Sequence, residues 1–349
     1  MTSSGGRITP PTATRSPWQL FYALAHRARR SRGHSRSRRL PVPVLSIGNL
    51  HWGGSGKTPL VAAIAAHLRD EGRRVAVLSR GYQRQSRGIR FASLGDGLIE
   101  SPQDVGDEPA MLANILSGVP IVVGADRFEA GRAALAEIEP PPDILLLDDG
   151  FSHLRLARDL DILTFPQSDP FAGGRLAPGG RLREPLTSSS AAAAVVLTGA
   201  NSLDPALGRE LAEALRAFGF RGRGFTSEIV ARTEPPLEAG TPVLLVTGIA
   251  RPGRAATTAA KVGLNVLRHL RFSDHHRYGE RSVVRINEAA AAAQASCVVT
   301  TSKDLCKISG RTELPLVELR VEARFGPEFW SWLNQEGSIS KSGSPASTD

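Results

Sequence analysis

A glycine-rich run ending in lysine and threonine is the first feature of this sequence with evident chemistry. Such a run turns backbone N–H groups toward phosphates, and a helix that starts there adds the positive end of its dipole. Its lysine reaches the β- and γ-phosphates of a nucleotide, and its threonine ligates Mg²⁺. We therefore predict a nucleotide-binding loop made of Gly53, Gly54, Ser55, Gly56, Lys57 and Thr58.

The match to the strict pattern G-x-x-x-x-G-K-[ST] is incomplete, because His51 stands where its first glycine belongs. A chance glycine turn is the alternative. A second carboxylate signal favours the phosphate loop. Asp148 and Asp149 directly follow the apolar run 144–147, and a carboxylate at the end of a neighbouring strand holds Mg²⁺ directly or through water. We predict Thr58, Asp148 and Asp149 as the metal-binding residues.

Other candidate residues have both a functional and a structural interpretation. Asp107 lies in the sequence Gly-Asp-Glu-Pro, where aspartate also suits a helix N-cap. His275 lies in Ser-Asp-His-His after a predicted strand, although a single histidine is more often structural. We count four residues as secondary candidates, with helix-end or loop solvation as the alternative for the acids. They are Glu108, His276, Glu184 and Arg80.

These residues must be positioned by the elements around them, and the pattern alternates strands with helices. That alternation predicts a mostly parallel sheet with helices on both faces. Residues 166–186 are rich in proline, glycine and arginine and predict a long loop or hairpin. We predict strands at 41–49, 75–78, 121–123, 143–147, 161–165, 193–197, 242–246, 266–272 and 297–300, and helices near 58–68, 204–218, 253–262 and 282–296.

Positive charge is concentrated at the N-terminus. The net charge is +9, yet residues 1–50 hold nine arginines and no acid before Asp70. Apolar and aromatic residues lie beside this cluster, as at a membrane interface, while nucleic acid, a transit peptide or a solvated tail are alternatives. No apolar run reaches the ~18 residues that span a bilayer. Only two cysteines are present, which fits a reducing cytoplasm.

Several short motifs of this sequence occur in a distinctive order. They are Ser46–Leu50 before the glycine loop, Ser79–Tyr82, Gly106–Pro109, Leu147–Phe151, Gly180–Pro185, Thr247–Pro252, Phe272–His276 and Thr301–Asp304. In this order they resemble the tetraacyldisaccharide 4'-kinase family, the lipid A 4'-kinases of Gram-negative bacteria, over residues 40–330. The resemblance implies transfer of the γ-phosphate of ATP to the 4'-hydroxyl of a lipid disaccharide 1-phosphate, with Mg²⁺. It also implies that Asp107 and His275 form a catalytic carboxylate–imidazole dyad, with His276 as the rival.

The resemblance further implies a P-loop NTPase-like lobe and a smaller α/β lobe joined by an extended loop or β-ribbon. We expect a basic arm at 1–40, a kinase lobe at 41–186, a second lobe at 187–336 and a disordered tail at 337–349. The expected location is the cytoplasmic face of the inner membrane, peripheral or monotopic, with the lipid as partner and no nucleic acid. Ser152, Ser302 and the arginine-rich arm depart from the family pattern.

A P-loop ATPase or GTPase acting on nucleic acid or on a protein partner is the alternative function. A GTPase needs a guanine-reading Asn-Lys-x-Asp word, which Thr301-Ser302-Lys303-Asp304 imitates only in part. A nucleic-acid enzyme needs a basic face beyond the arm, and the sequence shows none.

Overall fold

The chain forms one twelve-stranded sheet flanked by helices. The computed structural model describes residues 8–10, 21–22, 26, 28, 30, 32–33, 35, 37–53 and 55–337. The strands are β1 Val44–Asn49, β2 Val75–Ser79, β3 Arg90–Ser93, β4 Ile121–Val123, β5 Ile144–Asp148, β6 Leu160–Pro166, β7 Ala194–Ala200, β8 Arg223–Glu234, β9 Pro242–Thr247, β10 Asn265–Arg271, β11 Cys297–Thr301 and β12 Leu316–Phe325. The helices are α1 Lys57–Asp70, α2 Pro102–Val105, α3 Asp107–Ile115, α4 Arg127–Glu137, α5 Pro205–Arg216, α6 Pro252–Lys261, α7 Glu280–Ala292, α8 Ser302–Ile308 and α9 Pro327–Gly337, with 3-10 turns at Ala172–Gly174 and Leu186–Ala191.

The strand order is β10-β9-β11-β12-β8-β7-β6-β1-β5-β2-β4-β3. Strands β1 and β5 are parallel neighbours, and β9 and β11 form the corresponding pair in the second half. Each of these four strands is a short, nearly continuous apolar run, as expected where helices cover both faces of a sheet. The predicted mostly parallel α/β sheet is therefore confirmed.

The alternation of side chains along β5 shows why both faces are covered. Leu146 lies in the same buried cluster as Ile64 of α1, whereas Leu145 and Leu147 lie in the cluster of Ala134 on α4. Successive side chains of a strand point to opposite faces, so an all-apolar strand requires a helix on each side. The helices thus fix β5, and with it the position of Asp148 at its end.

Two long strands join the parallel sets. Strand β8 pairs with β7 in parallel and with β12 in antiparallel register, so the direction of the strands reverses between the two halves. The sheet continues through this pair, and the predicted division of the chain at residue 187 stays a prediction. Strands β8 and β12 and the edge strand β3 were not predicted from the sequence. Their exposed or half-exposed positions give none of the continuous apolar character of the buried strands.

The N-terminal arm is described only in part. Its described residues between 21 and 35 are helical, and among them His26 and Arg30 are buried against the rest of the protein. No helix of the described residues is long and apolar enough to cross a membrane. Most of residues 1–20 and the predicted tail from residue 338 onward lie outside the described residues.

Candidate active site

The predicted phosphate loop lies between β1 and α1, as the sequence indicated. Helix α1 begins at Lys57, and Gly56 precedes it with φ 79°, a left-handed conformation that glycine adopts without strain. The Lys57 ammonium lies 3.1 Å from Oδ1 of Asn49 and 3.5 Å from Oδ1 of Asp149. Thr58 follows in the first turn of the helix. Gly54, also predicted here, lies outside the described residues.

Hydrogen bonds from the sheet hold this loop in place. The hydroxyl of Ser55 lies 2.8 Å from Nδ2 of Asn49 and 2.9 Å from Oγ1 of Thr164. Thr198 donates from its hydroxyl to the carbonyl of Ser55 at 2.8 Å. Strands β1, β6 and β7 each contribute one of these partners, so the loop is fixed before any nucleotide arrives. Such preorganisation lowers the entropy cost of binding.

His51 can stand in place of the first glycine of the strict pattern because the backbone at this position does not adopt the positive φ that favours glycine. It forms a bridge with Leu182 in the loop 166–186, and its Nε2 donates to the carbonyl of Pro170 at 2.6 Å. The ring packs edge-on against Phe165. Burial lowers the pKa of His51 to about 4, so the ring is neutral at pH 7. The histidine thus ties the phosphate loop to the long loop.

The two predicted metal-side aspartates lie in different environments. Asp148 is buried and accepts a hydrogen bond from Ser79 at 3.2 Å; burial, with the charges of Glu108 and Asp149, raises the pKa of Asp148 to about 7. Asp149 is half-buried, with φ 53°. Burial alone would raise the pKa of Asp149, but the hydrogen bond from Arg183 and the charge of Lys57 lower it to about 2.

Two arginines belong to this cluster, and the sequence signal for them was weak. Arg183 donates hydrogen bonds to both carboxylate oxygens of Asp149. It also donates to the carbonyl of Asn49 at 3.0 Å. Arg127 is buried at the start of α4, and burial lowers its pKa to about 10 despite the nearby charges of Asp148 and Asp149. Arg183 lies in a loop of mixed composition, where sequence alone suggests solvation. Nothing in the sequence around Arg127 distinguished it.

The second cluster brings together Asp107 and His275, which are 168 residues apart. Oδ2 of Asp107 lies 2.9 Å from Nδ1 of His275 and 3.2 Å from Nζ of Lys307. Asp107 occupies the first turn of α3 but forms no cap, since the N-cap is Gly106. Lys303 lies 3.3 Å from Nε2 of His275. The carboxylate and imidazole are therefore positioned as a pair in a field of positive charge.

His275 has a left-handed backbone with φ 57°, which is unusual for a residue with a side chain. Such strained conformations concentrate at functional sites. His275 and Asp107 line a cleft of about 240 Å³ together with Tyr82 and Lys307. His276 also lines it, but its Nε2 is bonded to Ser282 at 2.8 Å and its ring stacks on Phe272. The structure thus pairs His275, and not His276, with Asp107.

The secondary candidates fall in three different places. Glu108 is exposed beside Asp107, yet its charge reaches Asp148 and so links the two clusters. Arg80 is exposed after β2, close enough to Arg127 to lower its pKa further.

Glu184 is buried, and its carboxylate is already engaged by protein groups. It accepts hydrogen bonds from Arg30 at 2.9 Å and Ser152 at 2.5 Å, and lies 3.4 Å from His26. Burial raises its pKa, but these neighbours lower it to about 2. Glu184 therefore anchors the N-terminal segment, and a contact of Glu184 with metal stays a prediction. Ser152, one departure from the family pattern, is one of its partners.

Comparisons with known proteins agree on one family. Residues 13–338 match the family described as tetraacyldisaccharide-1-P 4'-kinase. A tetraacyldisaccharide 4'-kinase of Geobacter sulfurreducens is 38% identical over 311 residues, which is 87% of either chain. One of Chromobacterium violaceum is 36% identical over 92% of this chain and 93% of its own. The crystal structure of LpxK from Aquifex aeolicus in complex with ATP aligns with a TM-score of 0.70 at 29% identity, covering 92% of this chain and 96% of that one.

Proposed function

Because this chain belongs to the tetraacyldisaccharide-1-P 4'-kinase family, we propose that it transfers the γ-phosphate of ATP to the 4'-hydroxyl of a tetraacyldisaccharide 1-phosphate in lipid A biosynthesis. The geometry of the site supports this function independently of the family. A phosphate loop with a positioned lysine lies in the first half of the chain, and a carboxylate–imidazole pair lines a cleft to which both halves contribute residues. The first binds a phosphate donor, and the second suits the removal of a proton from an alcohol.

The donor is held mainly by the loop residues 53–58. Their backbone N–H groups and the start of α1 offer an anion site, and Lys57 offers a charge close to the phosphates. In the structure Lys57 rests between Asn49 and Asp149. These partners keep the ammonium in the site and aimed at the mouth of the loop. Specific recognition of the adenine base does not follow from the described contacts.

Magnesium fits the oxygen donors beside the loop. Asp148 is buried with a single hydrogen bond from Ser79, and its raised pKa reflects an anion with too little compensating positive charge. Among the described residues no three His, Cys, Asp or Glu side chains converge on one ion. That agrees with Mg²⁺, which uses one or two carboxylates, water and nucleotide phosphates. Thr58, Asp148 and Asp149 would hold it, and the ion would neutralise charge on the phosphates.

The acceptor proton goes to the dyad. Phosphoryl transfer needs little covalent help from the protein, but the attacking hydroxyl must lose its proton. Asp107 holds His275 through Nδ1, and Lys307 keeps the carboxylate in place. Lys303 lies 3.3 Å from Nε2 of His275 and adds a positive charge on that side of the dyad. The bond from the γ-phosphorus to the acceptor oxygen forms as the bond to the β-phosphate breaks, and ADP leaves.

The acceptor's acyl chains place the reaction at a membrane surface. The arm at 1–40 carries the excess positive charge, and Phe21 is 65% exposed on its helical part. Aromatic residues beside arginines suit an interface with anionic lipids. We therefore place the protein on the cytoplasmic face of the inner membrane, peripheral or monotopic.

The direct test is transfer of labelled γ-phosphate to a disaccharide 1-phosphate lipid. We expect label in the lipid only with ATP, Mg²⁺ and acceptor together, and none with Lys57→Ala. ATP hydrolysis that is stimulated by DNA or RNA, with no labelled lipid, would favour the ATPase alternative instead.

The dyad is tested separately with Asp107→Asn and His275→Ala. Each should lower kcat by about 10²-fold or more, the range for general acid–base groups, while ATP affinity stays within a few-fold. Because the two residues act as one unit, the double variant should be little worse than the poorer single variant. His276→Ala is the matched control and should keep most of the turnover. Full turnover in either dyad variant would refute the assignment.

A further inference from the structure

Arg251 lies opposite the phosphate loop although it comes from the other half of the chain. It follows β9 and precedes α6, where it occupies the N-cap position. A β-carbon added at Gly53 would lie 3.7 Å from Nη2 of Arg251. Arg251 also lines, with Gly53 and Ser55, the small cleft at the mouth of the loop. A guanidinium from the second half thus reaches the loop that holds the donor phosphates.

The charge of Arg251 is not used by the protein itself. Arg251 is exposed, and its guanidinium forms no ion pair and no hydrogen bond with the described residues; only its backbone carbonyl is bonded, to the N–H of Arg254. Arg181, the other arginine of the small cleft, is paired with Asp169. Lys57 and Arg183, the cations on the other side of the loop, both contact Asp149. Of these four cations, Arg251 is the one without an acidic partner among the residues that the structure describes.

The surroundings of Arg251 are positive rather than neutral. Arg254 lies one helical turn further on and is also exposed. Burial, and then the charge of Arg251, lower the pKa of Arg254. Two like charges kept close together without an acid cost free energy in the empty protein. An anion at the mouth of the loop removes that cost.

The position of Gly53 in the loop indicates which part of a bound nucleotide would lie next to Arg251. In the loop pattern, Lys57 approaches the β- and γ-phosphates from the start of α1. Gly53 is four residues earlier, has φ 99° and is exposed at the mouth. The free mouth of such a loop faces the transferring phosphate and the acceptor. A side chain at 53 would be strained at this φ and would stand between Arg251 and the loop.

We propose that Arg251 contacts the transferring γ-phosphoryl group, as an arginine finger supplied by the second half of the same chain. This inference rests on the proposed kinase function. Charge spreads over the equatorial oxygens of that group during transfer, and a guanidinium fork matches them in geometry and sign. Arg251 exchanges no proton: the dyad takes the acceptor proton and ADP carries away the electron pair of the broken bond. The contact also makes turnover depend on the approach of the two halves.

The proposal predicts a specific set of losses in Arg251→Ala. Its kcat should fall by about 10²-fold to 10³-fold, the usual effect of removing one donor to a transition-state oxygen. Its affinity for ATP, measured by calorimetry without lipid, should fall several-fold, while affinity for ADP, which lacks the γ-phosphate, stays unchanged. Arg251→Lys should recover part of the ATP affinity but little of kcat, since lysine offers a point charge and no fork.

Arg268→Ala is the matched control. Arg268 is an exposed arginine on β10 of the same half, and its guanidinium forms no ion pair or hydrogen bond with the described residues. This variant removes the same charge and should stay within twofold of wild type in all three measurements.

A kcat of Arg251→Ala within threefold of wild type overturns the proposal. So does an equal loss of ATP and ADP affinity, which would mean a general effect on the loop. If wild-type protein does not phosphorylate the lipid, the kinase function itself fails; the ATP and ADP comparison needs no acceptor and still decides whether Arg251 meets the γ-phosphate.

Discussion

At the scale of single residues, the partners of a buried carboxylate determine whether it is reactive or structural. Asp148 and Glu184 are both buried carboxylates, yet their pKa values move in opposite directions, to about 7 and about 2. Glu184 has Arg30, His26 and Ser152 around it, whereas Asp148 has a single serine hydroxyl. Asp148, which forms no ion pair with the described residues, is therefore well placed to bind a cation, whereas Glu184, whose buried carboxylate is engaged by three side chains, is structural.

Glu184→Ala should destabilise the protein strongly because it leaves Arg30 buried without a partner. Removing one member of a buried ion pair costs about 3–5 kcal/mol. Urea unfolding measures the free energy, and protease cleavage within residues 21–35 reports release of the segment. Glu213→Ala breaks the exposed pair with Arg216 and should cost under about 1 kcal/mol. Equal losses in the two variants would contradict the anchoring role.

His51 predicts how stability depends on pH. Burial lowers its pKa from 6.5 to about 4, so below pH 6.5 the unfolded chain takes up a proton that the folded protein does not. Stability from this group is therefore present above pH 6.5 and falls as pH drops toward 4. Between pH 7 and pH 5 the loss is about 2 kcal/mol.

His51→Gln keeps an N–H donor for Pro170 and cannot be protonated in this range. Its unfolding free energy should therefore fall less than that of wild type between pH 7 and pH 5, by about 2 kcal/mol. Urea unfolding of both proteins at pH 7 and at pH 5 measures this difference. Parallel pH profiles for wild type and His51→Gln would contradict the prediction.

At the scale of elements, the dyad depends on a loop that must fit closely. The turn after β9 packs against the start of α8, where the N–H of Gly248 donates to Asp304 at 2.9 Å. Asp304 in turn lies 3.2 Å from Lys307, which holds Asp107. A chain of hydrogen bonds and ion pairs thus runs from the β9 turn to the dyad. Displacing that turn displaces the proton acceptor.

Gly248→Ala tests this connection. A β-carbon there would lie 2.7 Å from the Tyr278 hydroxyl and 3.0 Å from Oδ1 of Asp304, so these groups must move. We expect kcat to fall about tenfold or more, because misplacing catalytic groups by about 1 Å is costly, while ATP affinity remains. Gly279→Ala has open space around its β-carbon and should behave as wild type. An unchanged kcat in Gly248→Ala would show that the turn after β9 does not control the position of the dyad.

At the scale of the whole molecule, the excess positive charge lies in the N-terminal arm, apart in sequence from the candidate catalytic residues, so we expect membrane binding and catalysis to involve different parts of the chain. The arm holds the excess positive charge, yet part of it is built into the folded core through His26, Arg30 and Leu40. Arg38 and Arg39 are paired with acids of the kinase half. Removal of the whole arm therefore tests stability as much as membrane binding.

Removal of residues 1–20 is the sharper test, because it keeps His26, Arg30 and Leu40 and removes only the partly buried Ile8 from the core contacts of the described arm. Binding to anionic vesicles should weaken several-fold, and the difference from the full chain should shrink between about 0.05 M and about 0.5 M salt as charges are screened. ATP affinity should not change. Phe21→Ser, at an exposed aromatic position, should weaken binding at both salts. Equal vesicle binding by the truncated and full chains would show that residues 1–20 do not contribute to the membrane contact.

The sequence by itself determined what local pattern controls. The glycine loop between β1 and α1, the two aspartates at the end of β5 and the buried strands follow from glycine spacing and from continuous apolar runs, and their described parts lie at the predicted positions in the fold; the binding of phosphate by the loop stays a prediction. The order of the motifs was enough to indicate the family. Strands β8 and β12 were missed, since partly exposed strands carry a weak periodic signal.

Only the tertiary structure decided which distant groups meet. Asp107 selects His275 over His276 because Ser282 and Phe272 engage the second histidine. Local sequence cannot show this, because Asp107 and His275 are 168 residues apart. The N-terminal partners of Glu184 and the approach of Arg251 to the loop could not be predicted either, because they too join residues far apart in the sequence. Burial and long-range contact, which set charge and reactivity, exist only once the chain is folded.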